Sequence, residues 1–240
     1  MQRVWRFDGA PATSDHGARA VWHGERVTDS AVPAEDRDLR VCFVGDSYVA
    51  GVGDTAGLGW VGRLAGHAHA EGVPITAYNL GIRGDTSADV AARLPDEVSR
   101  RINPAAELRV VLAYGLNDVV LANGRPRLDP AGSLAATSRS LEWLASAGIP
   151  AIFVGPPAVG DPAQDSRTGS LDRLLAGGAA AHEVTYVSVF GYLAASQAWL
   201  KGVREGDGAH PGPAGYQEYF EAVRDPLMHF LTETPRETSA

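Results

Sequence analysis

The chain has 240 residues, of which 45% are hydrophobic and 21% charged, the balance of a folded globular protein rather than a disordered or low-complexity one. Its 21 Lys and Arg against 29 Asp and Glu leave a net charge of −8, which disfavours the phosphates of nucleic acids and anionic membrane surfaces as partners. A single cysteine, Cys42, excludes an intramolecular disulfide and a cysteine-built metal site.

Residues 1–38 are polar and show no helical period, so they are expected to form an N-terminal extension, with short strands at Arg3–Phe7 and near Ala20–His23. The N-terminus has no continuous apolar stretch of the secretory type, and no window approaches eighteen uncharged apolar residues. A cytoplasmic location without membrane insertion is the expectation. A second segment, 39–240, is expected to fold as the main domain. In it, apolar runs at Arg40–Val44, Ile75–Leu80, Leu108–Tyr114, Ile149–Val154 and Val184–Val189 predict five buried strands. Their continuity suits a parallel sheet covered on both faces.

Between the strands the sequence predicts helices. They lie over Gly59–Ala70, over Ser87–Arg101 with Thr86 or Ser87 as N-cap, over Ala131–Ala147 before the stop at Gly148-Ile149-Pro150, and over Ser170–His182. A last helix, Tyr216–Leu231, carries Tyr216, Phe220, Val223, Leu227 and Phe230 on one face, with a kink expected at Pro226. Strand–helix alternation of this kind argues for an α/β sandwich with right-handed crossovers. Ligands in such folds sit beyond the C-terminal ends of the strands.

Polar residues and glycines collect at those ends. Gly45-Asp46-Ser47 follows the first strand, Asn79-Leu80-Gly81 closes the second, and Gly115-Leu116-Asn117-Asp118 follows the third. Asp207-Gly208-Ala209-His210-Pro211 precedes the last helix. Singly, each has a structural explanation: a serine after a strand caps a turn, Asn-Asp forms an Asx turn, and Asp-Gly makes a loop tip. Together and in this order they resemble the SGNH, or GDSL-type, hydrolase family over about residues 40–232. Tyr48 departs from the leucine of the family's shorter name. That position bears on the substrate pocket rather than the chemistry.

The resemblance implies a three-layer α/β/α sandwich around a mainly five-stranded parallel sheet in the flavodoxin-like order 2-1-3-4-5. It implies Ser47 as nucleophile, His210 as base and Asp207 as the acid that orients it. The oxyanion donors it assigns are the backbone N–H groups of Ser47 and Gly81 and the side-chain amide of Asn117. It implies no metal and no organic cofactor, and a small carboxylic ester or acyl thioester as substrate. An O-acetyl esterase for a carbohydrate or natural product stays open, as does a non-catalytic binding module on the same fold. Asp46 and Asp118 are expected to brace loops. Tyr48 and Trp60 are candidates for an acyl pocket or for core packing, and Gly51–Gly59 is expected to be a flexible loop over the site.

Other signals are weaker. Gly57-Leu58-Gly59-Trp60-Val61-Gly62 fits the spacing of a dinucleotide-binding loop, which would make a nucleotide-dependent oxidoreductase. Such a loop should follow a strand directly, and here the strand ends well upstream. His67 and His69 point to different sides of a helix and have no acidic partner in phase, which suits a solvated surface better than a metal site. Cys42 falls within the first strand and reads as a buried small hydrophobe.

Overall fold

The computed structural model describes residues 37–233, together with the backbone of 3–6 and 23–26. The latter two form β1 (Arg3–Arg6) and β2 (His23–Arg26), paired antiparallel with Arg3 opposite Arg26. The first expected strand coincides with β1 as far as Arg6. Of the second, only His23 is shared with β2, and Phe7 and 20–22 lie outside the described residues.

The main sheet contains β3 (Leu39–Gly45), β4 (Ile75–Gly81), β5 (Glu107–Ala113), β8 (Ala151–Val154) and β9 (Thr185–Val187). Its order is β4-β3-β5-β8-β9, and every pairing is parallel. That is the expected 2-1-3-4-5 order, and the sheet with helices on both faces is the expected α/β/α sandwich. A small antiparallel hairpin, β6 (Leu121–Ala122) with β7 (Arg125–Pro126), lies between β5 and β8 in sequence. It turns on Asn123 and Gly124, both at positive φ, as a two-residue hairpin requires.

Successive strand residues point to opposite faces, and here each face has its own core. Val41, Phe43, Val111, Ala113, Ile152 and Val154 pack on one side, with α2 (Gly59–Ala70), α8 (Gln197–Glu205) and α9 (Pro213–Thr232). Cys42, Val44, Val110, Leu112 and Phe153 pack on the other, with α3 (Ser87–Ser99), α5 (Pro130–Ser146) and α6 (Pro162–Ala181). This double burial is why the strands read as uninterrupted apolar runs. Burial pushes the Cys42 thiol up to about 12, so it behaves as a core residue and not a nucleophile.

Helix starts follow local chemistry. Thr86 and Asp89 form a reciprocal capping box on α3, and Asp129 and Asp161 cap α5 and α6 with proline in the first turn. The Asp161 cap begins α6 at Pro162, well before the expected Ser170. The α9 helix runs through Pro226 without ending there.

The N-terminal edge of the sheet is held by charge. Arg37 forms two 2.7 Å hydrogen bonds to Glu107, and Arg37 Nη1 donates to Leu231 O at 2.8 Å. Arg109, only 2% exposed, donates to the same glutamate at 2.6 Å. Because a buried arginine is costly without a partner, Glu107 and the α9 C-terminus together close the end of the molecule opposite the polar strand termini.

Candidate active site

Three segments meet beyond the C-terminal ends of β3, β4 and β5. The first is a one-turn helix, α1 (Ser47–Ala50), which leaves β3 without an intervening loop. Gly45 permits the turn: a Cβ there would lie 1.9 Å from Ala113 O. Asp46 caps α1 by accepting from the Tyr48 N–H at 3.0 Å. This puts Ser47 at the first helical position. Its N–H donates to no acceptor among the described residues.

The second segment is the loop between α8 and α9. His210 Nε2 lies 2.7 Å from Ser47 Oγ, and His210 Nδ1 lies 2.8 Å from Asp207 Oδ2. A carboxylate only accepts, so Nδ1 carries the proton and Nε2 is free to accept from the serine hydroxyl. Asp207 Oδ1 accepts from the backbone N–H groups of Ala209 (3.1 Å) and His210 (2.8 Å), which fixes the loop's shape. Partial burial works to raise the Asp207 carboxyl. The backbone N–H and imidazole of His210, with the Ala209 N–H, outweigh it and hold the group at about 2. Asp207 is therefore ionised throughout the neutral range.

The third segment holds Asn117, in α4 (Leu116–Val119), directly after β5. Its side-chain amide donates to Asp85 O at 2.9 Å and makes a long contact of 3.4 Å with Asp46 Oδ2. One amide hydrogen is thus anchored, and the other is weakly held. Asp46 is fully buried. Desolvation pushes its carboxyl up to about 7, offset in part by the Tyr48 N–H and reinforced by the charges of Asp118 and Asp85. Asp118 accepts from the Ser87 N–H (2.8 Å) and hydroxyl (2.6 Å), joining α4 to the start of α3. Both aspartates brace loops, as expected from the sequence.

Gly81, for which the resemblance implies an oxyanion donor, has its N–H engaged. Its N–H donates to Asn79 Oδ1 at 3.1 Å, and a Cβ on it would lie 2.2 Å from Ala50 N. The residue lets β4 approach α1, and its donor is already used. Three residues on, the Gly84 N–H has no acceptor among the described residues, and the adjoining carbonyl, Asp85 O, is the one that anchors Asn117. Residue type did not separate the two glycines, because sequence does not show which way an N–H points. The guanidinium of Arg127, donating to Gly84 O at 2.7 Å, further fixes that turn.

The two candidate pocket residues are core residues. Trp60 is 0% exposed, with its ring stacked 5.4 Å from Tyr219 and edge-on to Phe43 at 5.6 Å. Tyr48 is 2% exposed and packs beneath His210. Neither lines an open acyl pocket. Nor is the Gly51–Gly59 segment a free flap. Asp54 within it accepts from the N–H groups of Ala56 (3.0 Å) and Gly59 (2.8 Å) and from Arg63 (2.5 Å), and Arg63 also donates to Pro213 O at 3.1 Å.

The remaining motifs acquire structural roles. Gly57–Gly62 spans the end of this loop and the first turn of α2, so no strand delivers it to a dinucleotide. His69 Nε2 lies 3.0 Å from Ile75 O, and His67 packs edge-on to Phe220. No group of three or more His, Cys, Asp or Glu among the described residues is arranged to hold a metal ion. No helix among them is long and apolar enough to cross a membrane.

A hydroxyl on an imidazole, the imidazole on an ionised carboxylate, and unspent N–H donors beside the hydroxyl make an arrangement suited to acyl transfer. Comparison with known proteins agrees. The model of the GDSL-like lipase/acylhydrolase family matches residues 43–218. No curated protein sequence matches the chain. Among solved structures, the crystal structure of TesA shares 26% identity at a TM-score of 0.64, covering 80% of this chain and 99% of that one. A lipase/acylhydrolase from Enterococcus faecalis shares 21% identity at a TM-score of 0.66, covering 82% and 98%. The acetyl xylan esterase AlAXEase shares 20% at 0.64, covering 78% and 99%. The last two are likenesses of fold.

Proposed function

Since the chain belongs to the GDSL-like lipase/acylhydrolase family and is a serine hydrolase of ester bonds, we propose that Ser47, His210 and Asp207 are its catalytic triad and that its substrates carry a short acyl group. The observation that carries the triad is the unbroken run from Ser47 Oγ to His210 Nε2 (2.7 Å) and from His210 Nδ1 to Asp207 Oδ2 (2.8 Å). Ser47 Oγ attacks the acyl carbonyl while His210 Nε2 takes its proton. Asp207 keeps the imidazole in the accepting tautomer and stabilises the imidazolium. The C–O or C–S bond then breaks, the leaving alcohol or thiol takes the proton from His210, and the acyl group stays on Ser47. Water, deprotonated by the same imidazole, releases the acid and restores the serine.

The negative oxygen of the tetrahedral intermediate needs donors already in place. Two are the Ser47 N–H and the weakly held hydrogen of Asn117. For the third, Gly84 is favoured over Gly81, because the Gly81 N–H is committed to Asn79. An intermediate oxygen would replace the 3.4 Å contact of Asn117 with Asp46 and leave its anchor on Asp85 O intact.

Packing on the core side of Ser47 supports the short acyl group. Ser47 is 4% exposed, Tyr48 beside it is packed against Trp199 and Tyr219, and Tyr219 in turn stacks on Trp60. No long chain enters on that side without displacing core aromatics. Acetyl esters of sugars fall within the same class, as in the acetyl xylan esterase of similar fold. The test is a series of p-nitrophenyl esters from acetate to laurate, with matched thioesters and an acetylated xylo-oligosaccharide. The expected result is a kcat/KM that is highest for acetate to butyrate and falls with length. A rate that climbs to the longest chain would contradict the short-acyl assignment.

A further inference from the structure

The side chain that follows the nucleophile touches both halves of the proposed machinery. Tyr48 sits on α1 next to Ser47, and its phenol donates to Ala209 O at 2.7 Å, across 161 positions of sequence. Ala209 is the residue between the acid and base positions that immediately precedes His210. The Tyr48 ring lies under the imidazole, with centroids 5.3 Å apart and planes at 42°. It is held from below by Trp199 at 5.8 Å and Tyr219 at 6.4 Å, and Tyr219 is itself stacked on Trp60. A leucine here would supply neither the donor nor a flat support.

The loop needs such an anchor. Its bonds from Ala209 and His210 N–H to Asp207 Oδ1 fix its internal shape but not its distance from Ser47. Apart from the His210–Ser47 bond itself, its other polar ties include the Gly206 N–H to Gly202 O and the Gly208 N–H to Val203 O, both on α8, and the contact of Arg83 with Asp207 at 3.3 Å, between side chains 66% and 46% exposed. Besides the His210–Ser47 bond whose length is at issue, the buried phenol is the tie that runs from the loop directly to α1. Resting on the triad assignment above, we propose that Tyr48 is a positioning residue. By clamping the Ala209 carbonyl it holds His210 Nε2 at proton-transfer distance from Ser47 Oγ, and so accelerates acylation.

Tyr48→Phe removes the hydroxyl and keeps the ring in its stack. Loss of one buried hydrogen bond that sets a reacting distance is expected to lower kcat and the rate of fluorophosphonate labelling by about tenfold, with KM changed by no more than about twofold. The downfield NMR signal of the His210 Nδ1 proton is expected to broaden by faster exchange, although circular dichroism shows an intact fold. Incorporation of 3-fluorotyrosine at position 48, which keeps the hydroxyl, is expected to retain kcat within about twofold. Wild-type kcat and an unchanged Nδ1 signal in Tyr48→Phe would overturn the proposal, as would a fluorotyrosine protein as slow as the phenylalanine variant. Ser47→Ala run alongside separates the two levels. If it stays active the triad assignment fails, whereas an inactive Ser47→Ala beside a fully active Tyr48→Phe removes only the clamp.

Discussion

Ser47→Ala is expected to lower the hydrolysis of p-nitrophenyl acetate by roughly 10⁴–10⁶ in kcat, as removal of a serine nucleophile does. The fold should survive, because the lost hydroxyl makes one hydrogen bond, to His210 Nε2, and alanine keeps the Cβ. The cap of α1 is independent of it: Asp46 accepts from the Tyr48 N–H, and Gly51 ends the helix in a left-handed conformation. The check is steady-state kinetics with a thermal melt on the same preparation. Activity within tenfold of the wild type would remove Ser47 from the reaction.

Asn117→Ala is the second large effect. An amide that donates to the developing oxyanion acts in the transition state and hardly at all on bound substrate, so kcat should fall about 10²–10³ with little change in KM. The substitution also leaves Asp85 O without its 2.9 Å donor and removes the long contact to Asp46, so a modest loss of stability should accompany it. Asn117→Asp is the sharper control. It keeps the size but replaces the donor with an acceptor next to the buried Asp46 carboxyl group, and it should be at least as slow as the alanine variant. A rise in KM with kcat preserved in both would place Asn117 in substrate binding instead.

What the sequence conveyed well was the part governed by repetition. The central strands are apolar on both faces because each face has a helical layer, and that double burial leaves an unmistakable run, as in Val41-Cys42-Phe43-Val44. The order of the polar strand ends was equally readable, since Ser47, Asn117 and His210 each stand at a break between a periodic segment and the next. Short elements were harder. The α8 helix buries only Trp199 and Val203, too few points to set a period, although its cap Ser196 was there to be read. The β6–β7 hairpin had its signal in Asn123-Gly124, but two residues a side give no alternation.

Direction was the other limit. Gly81 and Gly84 are alike in type, and only the three-dimensional path shows one N–H spent on Asn79 and the other unspent. Tyr48 and Trp60 flank the loop after Ser47 in sequence, yet both turn inward, where aromatic stacking on Tyr219 and Trp199 outweighs exposure to a ligand. Asp207 and His210 were legible as a pair because they lie three apart in one loop. Their alignment with Ser47, 163 residues away from His210, depends on the loop's tertiary contacts.

The proposed mechanism requires that Ser47 become acylated. Mass spectrometry of the protein after reaction with a fluorophosphonate tests this at the atom concerned. The predicted result is a single adduct, on the peptide that contains Ser47, with loss of esterase activity in step with labelling. An active enzyme that takes no label, or one labelled on another residue, would contradict it.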